Sequence, residues 1–230
     1  MRLDKYLADM GIGTRKEIKK LILAGLVTVD DEIITKPDHK VDESSSVCLE
    51  GEPLIYQQYQ YFLLNKPAGY LCTKDGSPNV MELVPNYYKG LNPVGRLDKD
   101  TEGLLIITND GQLTHQLISP KYHVDKKYYF ECDKPLPADA AAVLSKPIEF
   151  SDFISLPGKL ELISENSGYL TIHEGKFHQV KRMIGYLGCN VTYLKRTNYS
   201  FLDIEDLAVG EYRELTAEET EKLKGVSDNE

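Results

Sequence analysis

The sequence contains no run of about eighteen apolar residues, so no segment is long enough to cross a bilayer as a helix. No secretory leader is expected, since Met1 leads directly into Arg2, Asp4, Lys5 and Asp9 without an apolar stretch. There is no Cys-x-x-Cys pair, which excludes a zinc ribbon and a thioredoxin-type motif. Cys48, Cys72, Cys132 and Cys189 stand far apart and suit the reduced thiols of a cytoplasmic protein better than a disulfide framework. Tandem repeats and low-complexity runs are absent. Basic excess is lacking too: 27 Lys and Arg face 36 Asp and Glu, for a net charge of −9. Taken alone, that balance argues against a nucleic-acid partner.

The distribution of charge reverses that argument. Residues 1–28 hold six basic and three acidic side chains, hence +3, whereas residues 29–56 hold two and eight, hence −6. Residues 57–199 are nearly balanced at +1, and residues 200–230 carry −7. An RNA-binding face needs a local basic patch rather than a basic protein. With 230 residues, 41% of them hydrophobic, the chain can build one or two globular domains with an ample core.

Leu3, Tyr6, Leu7 and Met10 recur at helical spacing, which predicts a short amphipathic helix ended by Gly11 and Gly13. Thr14 and Glu17 form a capping-box spacing, and Gly25 supplies a stop, so a second helix lies between them. On it Ile18, Leu21 and Ile22 share one side. Arg15, Lys16, Lys19 and Lys20 fall within an arc of roughly 140° on the other, at about 100° per residue. Leu26–Val29, a turn at Asp30-Asp31 and a return at Ile33-Ile34 predict a hairpin, and Val47–Leu49 a further strand. Residues 1–56 therefore read as one small domain, with Pro53–Gln60 as a polar linker, and residues 57–230 as another. In the latter, strands are predicted at Tyr61–Leu64, Leu104–Thr108, Lys127–Cys132, Leu160–Ile163, Tyr169–Ile172 and Val191–Leu194. Helices are predicted at Pro137–Leu144 and His178–Leu187, with a frayed polar tail over about 222–230. The expected class is α+β, with a mixed, mainly antiparallel sheet flanked by a few helices.

The densest stretch is Gly95-Arg96-Leu97-Asp98-Lys99-Asp100-Thr101-Glu102-Gly103-Leu104-Leu105. Asp98-Lys99-Asp100-Thr101 mimics an aspartyl-phosphate motif, but such a motif ends an apolar strand and here Asn92–Arg96 precedes it. Asp98-x-Asp100-x-Glu102-Gly103 mimics a calcium loop, whose twelfth position would be Asn109 rather than Glu. Arg-Leu-Asp-x-x-Thr-x-Gly-Leu-Leu instead resembles the signature of pseudouridine synthases, and its flanks resemble the RsuA branch. Other segments match in order: Tyr61–Tyr70, Ser119–Tyr128, Glu174–Met183 and Gly210–Thr216. The segments Met1–Leu7, Gly13–Glu17 and Gly25–Val29 resemble the small RNA-binding module first described in ribosomal protein S-four. That module's usual Val-Asn-Gly hairpin is here Val29-Asp30-Asp31, an acidic departure.

The resemblance implies an enzyme that isomerises a uridine of small-subunit (16S) ribosomal RNA, without cofactor or metal. Asp98 would be the essential aspartate, able to attack or deprotonate the nucleoside. Lys181 would pair with it and fix its orientation, with Arg182 as the rival for that place. Tyr128 would stack beneath the uracil. Arg96 would enter the space left by the flipped base, and Lys66 would contact phosphate. Arg2, Lys5, Arg15, Lys16, Lys19, Lys20 and Arg182 would hold the RNA backbone. His173 and His178 lack the company of a third metal ligand and read as structural. The expected partner is ribosomal RNA within a small-subunit assembly intermediate, bound by a monomer with no membrane involvement. Two other readings stand beside this one. One is the same chemistry on 23S RNA; the other is a non-catalytic assembly factor on the same scaffold.

Overall fold

The computed structural model describes residues 1–42, 44–73, 75–85, 88–204 and 206–225. The chain divides into two units: Met1–Gln60 with Pro85–Leu91, and Tyr61–Val84 with the residues from Asn92 onward.

The first unit carries helices α1 (Leu3–Asp9) and α2 (Arg15–Leu23) and a four-stranded sheet. Its strands are β1 (Val27–Val29), β2 (Glu32–Ile33), β3 (Val47–Leu49) and β4 (Glu52–Leu54), in the order β2-β1-β3-β4. The capping box is present: the Glu17 amide donates to Thr14 Oγ1 at 3.3 Å, and the Thr14 amide donates to Glu17 Oε2 at 2.7 Å. Leu3, Leu7, Ile18, Ile22 and Val27 are fully buried in one core. Opposite that core, Arg15, Lys16, Lys19 and Lys20 are all exposed, as their spacing requires. Asp30 and Asp31 both adopt left-handed backbone, at φ 51° and 67°. That is the conformation of a primed hairpin turn, which aspartate tolerates better than most residues. Pro53 and Leu54, expected in a linker, belong instead to β4 and pair with Cys48 and Val47. β4 is an edge strand, where a residue without an amide proton costs no ladder bond.

In the second unit a nine-stranded sheet forms the frame. Its strands are β5 (Tyr61–Lys66), β6 (Asn92–Pro93), β7 (Glu102–Thr108), β8 (Lys126–Cys132), β9 (Lys159–Ser164), β10 (Ser167–Ile172), β11 (Val191–Tyr199), β12 (Leu202–Asp203) and β13 (Tyr212–Glu214). The main path is β13-β5-β7-β11-β8-β10-β9, with β6 beside β7 and β12 beside β11. Among the strand pairs of the described residues only β7–β11 is parallel, so the mixed, mainly antiparallel α+β expectation holds. At that pair Gly103 lies opposite Arg196. A Cβ on Gly103 would sit 2.2 Å from the Arg196 carbonyl oxygen, and its φ is 106°, so only glycine fits. The glycine of the central motif is therefore a strand-packing residue.

Among the described residues the α-helices of this unit are α3 (Gly111–Ile118), α4 (Ala140–Leu144), α5 (Gln179–Tyr186) and α6 (Ala217–Gly225). Leu113 and Leu117 of α3 and Leu223 of α6 join Leu63, Leu104, Ile106 and Tyr199 in one buried cluster. The expected frayed tail is thus corrected from about Lys222 to Gly225, because Leu223 is fully buried. Residues 226–230 lie outside the described residues.

Candidate active site

The motif loop between β6 and β7 is shaped by a lysine beneath it. Lys66 ends β5 and is fully buried. Its Nζ donates to the carbonyls of Thr101 at 2.7 Å, Asp98 and Pro67 at 3.1 Å, and Lys99 at 3.3 Å. The loop curls around a buried ammonium, whose pKa is lowered by that burial. This corrects the expectation that Lys66 meets RNA phosphate: its hydrogen-bonding capacity is used by carbonyls, and no part of it reaches solvent. The same turn is closed by the Thr101 amide on the Asp98 carbonyl at 3.1 Å and the Gly69 amide on the Lys99 carbonyl at 2.7 Å.

Held in this way, Asp98 opens into a cleft lined also by Arg96, Thr101, Tyr128, Lys176, His178 and Gln179. Lys181, in the first turn of α5, places Nζ 3.1 Å from Asp98 Oδ2. It is also shared with Asp100, at 2.7 and 2.9 Å from the two carboxylate oxygens. Burial pulls the Lys181 pKa down, but hydrogen bonds from its ammonium to Asp100 and Asp98 outweigh it and the net shift is upward. The Asp100 pKa is lowered, chiefly by the hydrogen bond from Lys181. His178 Nε2 lies 3.5 Å from the other Asp98 oxygen.

Of the two basic residues open as partners of Asp98, geometry selects Lys181. Arg182 turns away to Asp152, with a 3.0 Å bond from Nη1, and its guanidinium lies 4.7 and 4.6 Å from the ring centroids of Phe150 and Phe153. The Arg182 donors are turned to Asp152 rather than to Asp98, in an ion pair that is itself exposed. Arg2 and Lys5 are paired with Asp4 and Asp9 at the surface. Such exposed pairs are weak, so both side chains can exchange to a phosphate.

Tyr128 sits in the middle of β8, opposite Leu170 of β10 and Arg196 of β11. It is nearly buried and forms part of the cleft wall. Arg196, also buried, donates from Nε to the Leu104 carbonyl at 2.7 Å and from Nη1 to the Tyr128 hydroxyl at 3.4 Å. Arg96 is exposed at the cleft rim. The Thr101 hydroxyl, buried beside the cleft, has no hydrogen-bond partner among the described residues. Among the described residues no group of three or more His, Cys, Asp or Glu side chains is placed to hold a metal ion.

The RNA pseudouridylate synthase family model matches residues 60–185, and the S4 domain model matches residues 1–47. Ribosomal small subunit pseudouridine synthase A of Vibrio cholerae is 40% identical over 229 residues, covering 97% of this chain and 99% of that protein. The chain belongs to the pseudouridine synthase family. An uncharacterized RNA pseudouridine synthase of Bacillus subtilis is 41% identical across 97% of this chain and 98% of its own length. A ribosomal large subunit pseudouridine synthase B from the same organism is 34% identical across 99% and 97%. A crystal structure of a pseudouridylate synthase superposes with a TM-score of 0.69 at 36% identity, covering 97% of this chain and 99% of that one.

Within this synthase fold, sequence reasoning brought Asp98, Tyr128, Arg96 and Lys181 to one cleft or its edge. It missed Asp100, His178 and Arg196. Asp100 was visible two residues from Asp98, and His178 three residues before Lys181, which is one helical turn. Arg196 had no sequence signal, because it reaches Tyr128 only through the β8–β11 register.

Proposed function

We propose that this pseudouridine synthase converts one uridine of 16S ribosomal RNA to pseudouridine, with Asp98 as its essential group. The observation that carries the reading is the Asp98 carboxylate held 3.1 Å from Lys181 at a cleft walled by Tyr128. Isomerisation breaks the bond from C1′ to N1 of uracil, forms one from C1′ to C5, releases the C5 hydrogen as a proton and leaves N1 protonated. It needs one group that attacks or deprotonates, a surface that keeps the freed base in place, and no redox partner. Asp98 supplies the first and Tyr128 the second. Lys181 positions Asp98, and Arg96 at the rim fills the space left by the flipped base. The small-subunit target rests on relatives such as the Vibrio cholerae enzyme. The runner-up target, 23S RNA, is favoured by the 34% identical large-subunit enzyme.

In this reading residues 1–56 bind RNA and residues 57–230 carry out the reaction. The protein acts as a cytoplasmic monomer on a small-subunit assembly intermediate. Tritium release from RNA labelled at uridine C5 tests it. Release from 16S-containing particles and not from 23S RNA is expected; release from 23S alone moves the target, and release from neither contradicts the activity.

The exposed face of α2 supplies a further test. Replacing Lys16 and Lys20 with Ala is expected to lower the log–log salt slope of RNA binding by roughly one to two, at about 0.7–0.9 per phosphate. Affinity falls about equally for all RNAs, and turnover at saturating RNA changes little. Salt titration of wild type and double variant reads this directly; an unchanged slope would mean a merely solvated face.

A further inference from the structure

The segment from Glu174 to His178 leads from β10 into α5 along the cleft. It is tightly braced from below. Gln179, buried, donates from Nε2 to Glu174 Oε1 at 2.8 Å, and the Leu156 amide donates to the same oxygen at 2.7 Å. Gln179 Oε1 accepts from the Lys176 amide at 3.0 Å, and the Gln179 amide returns to the Lys176 carbonyl at 3.1 Å. His178 then takes a left-handed backbone, at φ 52°.

This bracing holds an aromatic ring out in water. Phe177 is 72% exposed. One face of its ring lies on His178, with centroids 3.8 Å apart and planes 18° from parallel. His178 in turn is 3.5 Å from Asp98 and lines the cleft. A single exposed apolar side chain is ordinary. Here, however, a fixed loop backs one face of the ring with a second ring and leaves the rest open, next to the reacting carboxylate. Exposed Lys176 lies beside it and exposed Arg96 lines the same cleft.

We propose that Phe177 is a stacking platform for an unpaired nucleobase adjoining the target uridine. The inference rests on the pseudouridine reading of this site and adds a binding position to it. When a base leaves its stack, its neighbours lose a partner on one face. An aromatic ring replaces that partner whatever the base, because every base has a π-face. Cations such as Lys176 and Arg96 near the ring suit the phosphates that flank a base. Phe177 would thus hold the distorted strand open while Asp98 acts.

Phe177→Ala, Phe177→Leu and Phe177→Tyr test the proposal on an RNA fragment carrying the target. Phe177→Ala is expected to lower kcat/KM roughly ten- to hundredfold, mainly through KM, on the scale of one lost base–aromatic stack. Phe177→Leu should resemble Ala, and Phe177→Tyr should stay within about twofold of wild type. Thermal stability should be unchanged in all three, since the ring is exposed. Abasic substitution at each nucleotide flanking the target adds the decisive comparison. At one position it should weaken binding to wild type and cost Phe177→Ala nothing further. Equal abasic penalties in wild type and Phe177→Ala at every position, or an unchanged KM, would overturn the proposal. Affinities are measured without turnover, so they test Phe177 even if no RNA is converted. Absence of conversion by wild type would count against the pseudouridine reading alone.

Discussion

Asp98→Asn is expected to abolish pseudouridine formation while leaving RNA affinity within about threefold of wild type. The amide is nearly isosteric with the carboxylate but is a poor nucleophile and a poor base. Loss of such a group costs roughly 10³-fold or more in turnover. No other carboxylate among the described residues lines the cleft. The substitution should not disturb the fold, because Lys181 keeps its 2.7 Å contact with Asp100. One charge among many contributes little to phosphate binding. Tritium release and filter binding on the purified variant give both quantities. Residual turnover well above background would show that another group carries the chemistry.

Lys66→Met should have the second-largest effect, on stability and turnover together. The Lys66 ammonium is the common donor to the carbonyls of Pro67, Asp98, Lys99 and Thr101. Methionine matches the length of the side chain but donates nothing. The Asp98 and Lys99 carbonyls retain the amides of Thr101 and Gly69, so the loss falls hardest on Thr101 and Pro67. Leaving buried acceptors without a donor costs about 1–3 kcal/mol for each, giving a destabilisation of about 2–6 kcal/mol for the two. Because the same carbonyls shape the loop bearing Asp98, kcat should fall more than RNA affinity. The salt slope should not move, since Lys66 touches no phosphate. Denaturant melts and salt titrations check these points; a lower slope with unchanged stability would restore the phosphate role.

The sequence revealed most of the frame because its local signals agreed with its packing. The α2 capping box, the apolar run of β5 and the alternation of β8 each mark an element that buries what its pattern says it should. Several misses are polar residues whose partners lie far along the chain, and others are local caps. β11 extends to Tyr199 through Lys195, Arg196, Thr197 and Asn198, a run that looks unlike a strand until Arg196 finds Leu104 and Tyr128. Asp110 looks like a turn residue, yet it caps α3 through the Leu113 amide at 3.0 Å and accepts the Tyr61 hydroxyl at 2.8 Å. The α6 cap was legible and overlooked: Thr216 and Glu219 have capping-box spacing, and the Thr216 amide donates to Glu219 Oε2 at 2.8 Å. Glu219 also forms two 2.7 Å bonds with Arg213.

The site divides the same way. Asp98, Lys181 and Tyr128 were legible as motif members, and burial or pairing then decided the neighbours. Lys66 and Arg182 are basic residues in basic-looking motifs, and sequence alone assigns both to RNA. Full burial gives the first structural work instead, and the second pairs with Asp152 at the surface rather than with Asp98.

Pseudouridine mapping of ribosomal RNA from cells lacking this protein, complemented with wild type or with Asp98→Asn, tests the central claim most directly. One pseudouridine of 16S RNA should be lost on deletion, restored by wild type and not restored by Asp98→Asn. An unchanged pseudouridine map after deletion, or restoration by Asp98→Asn, would contradict it.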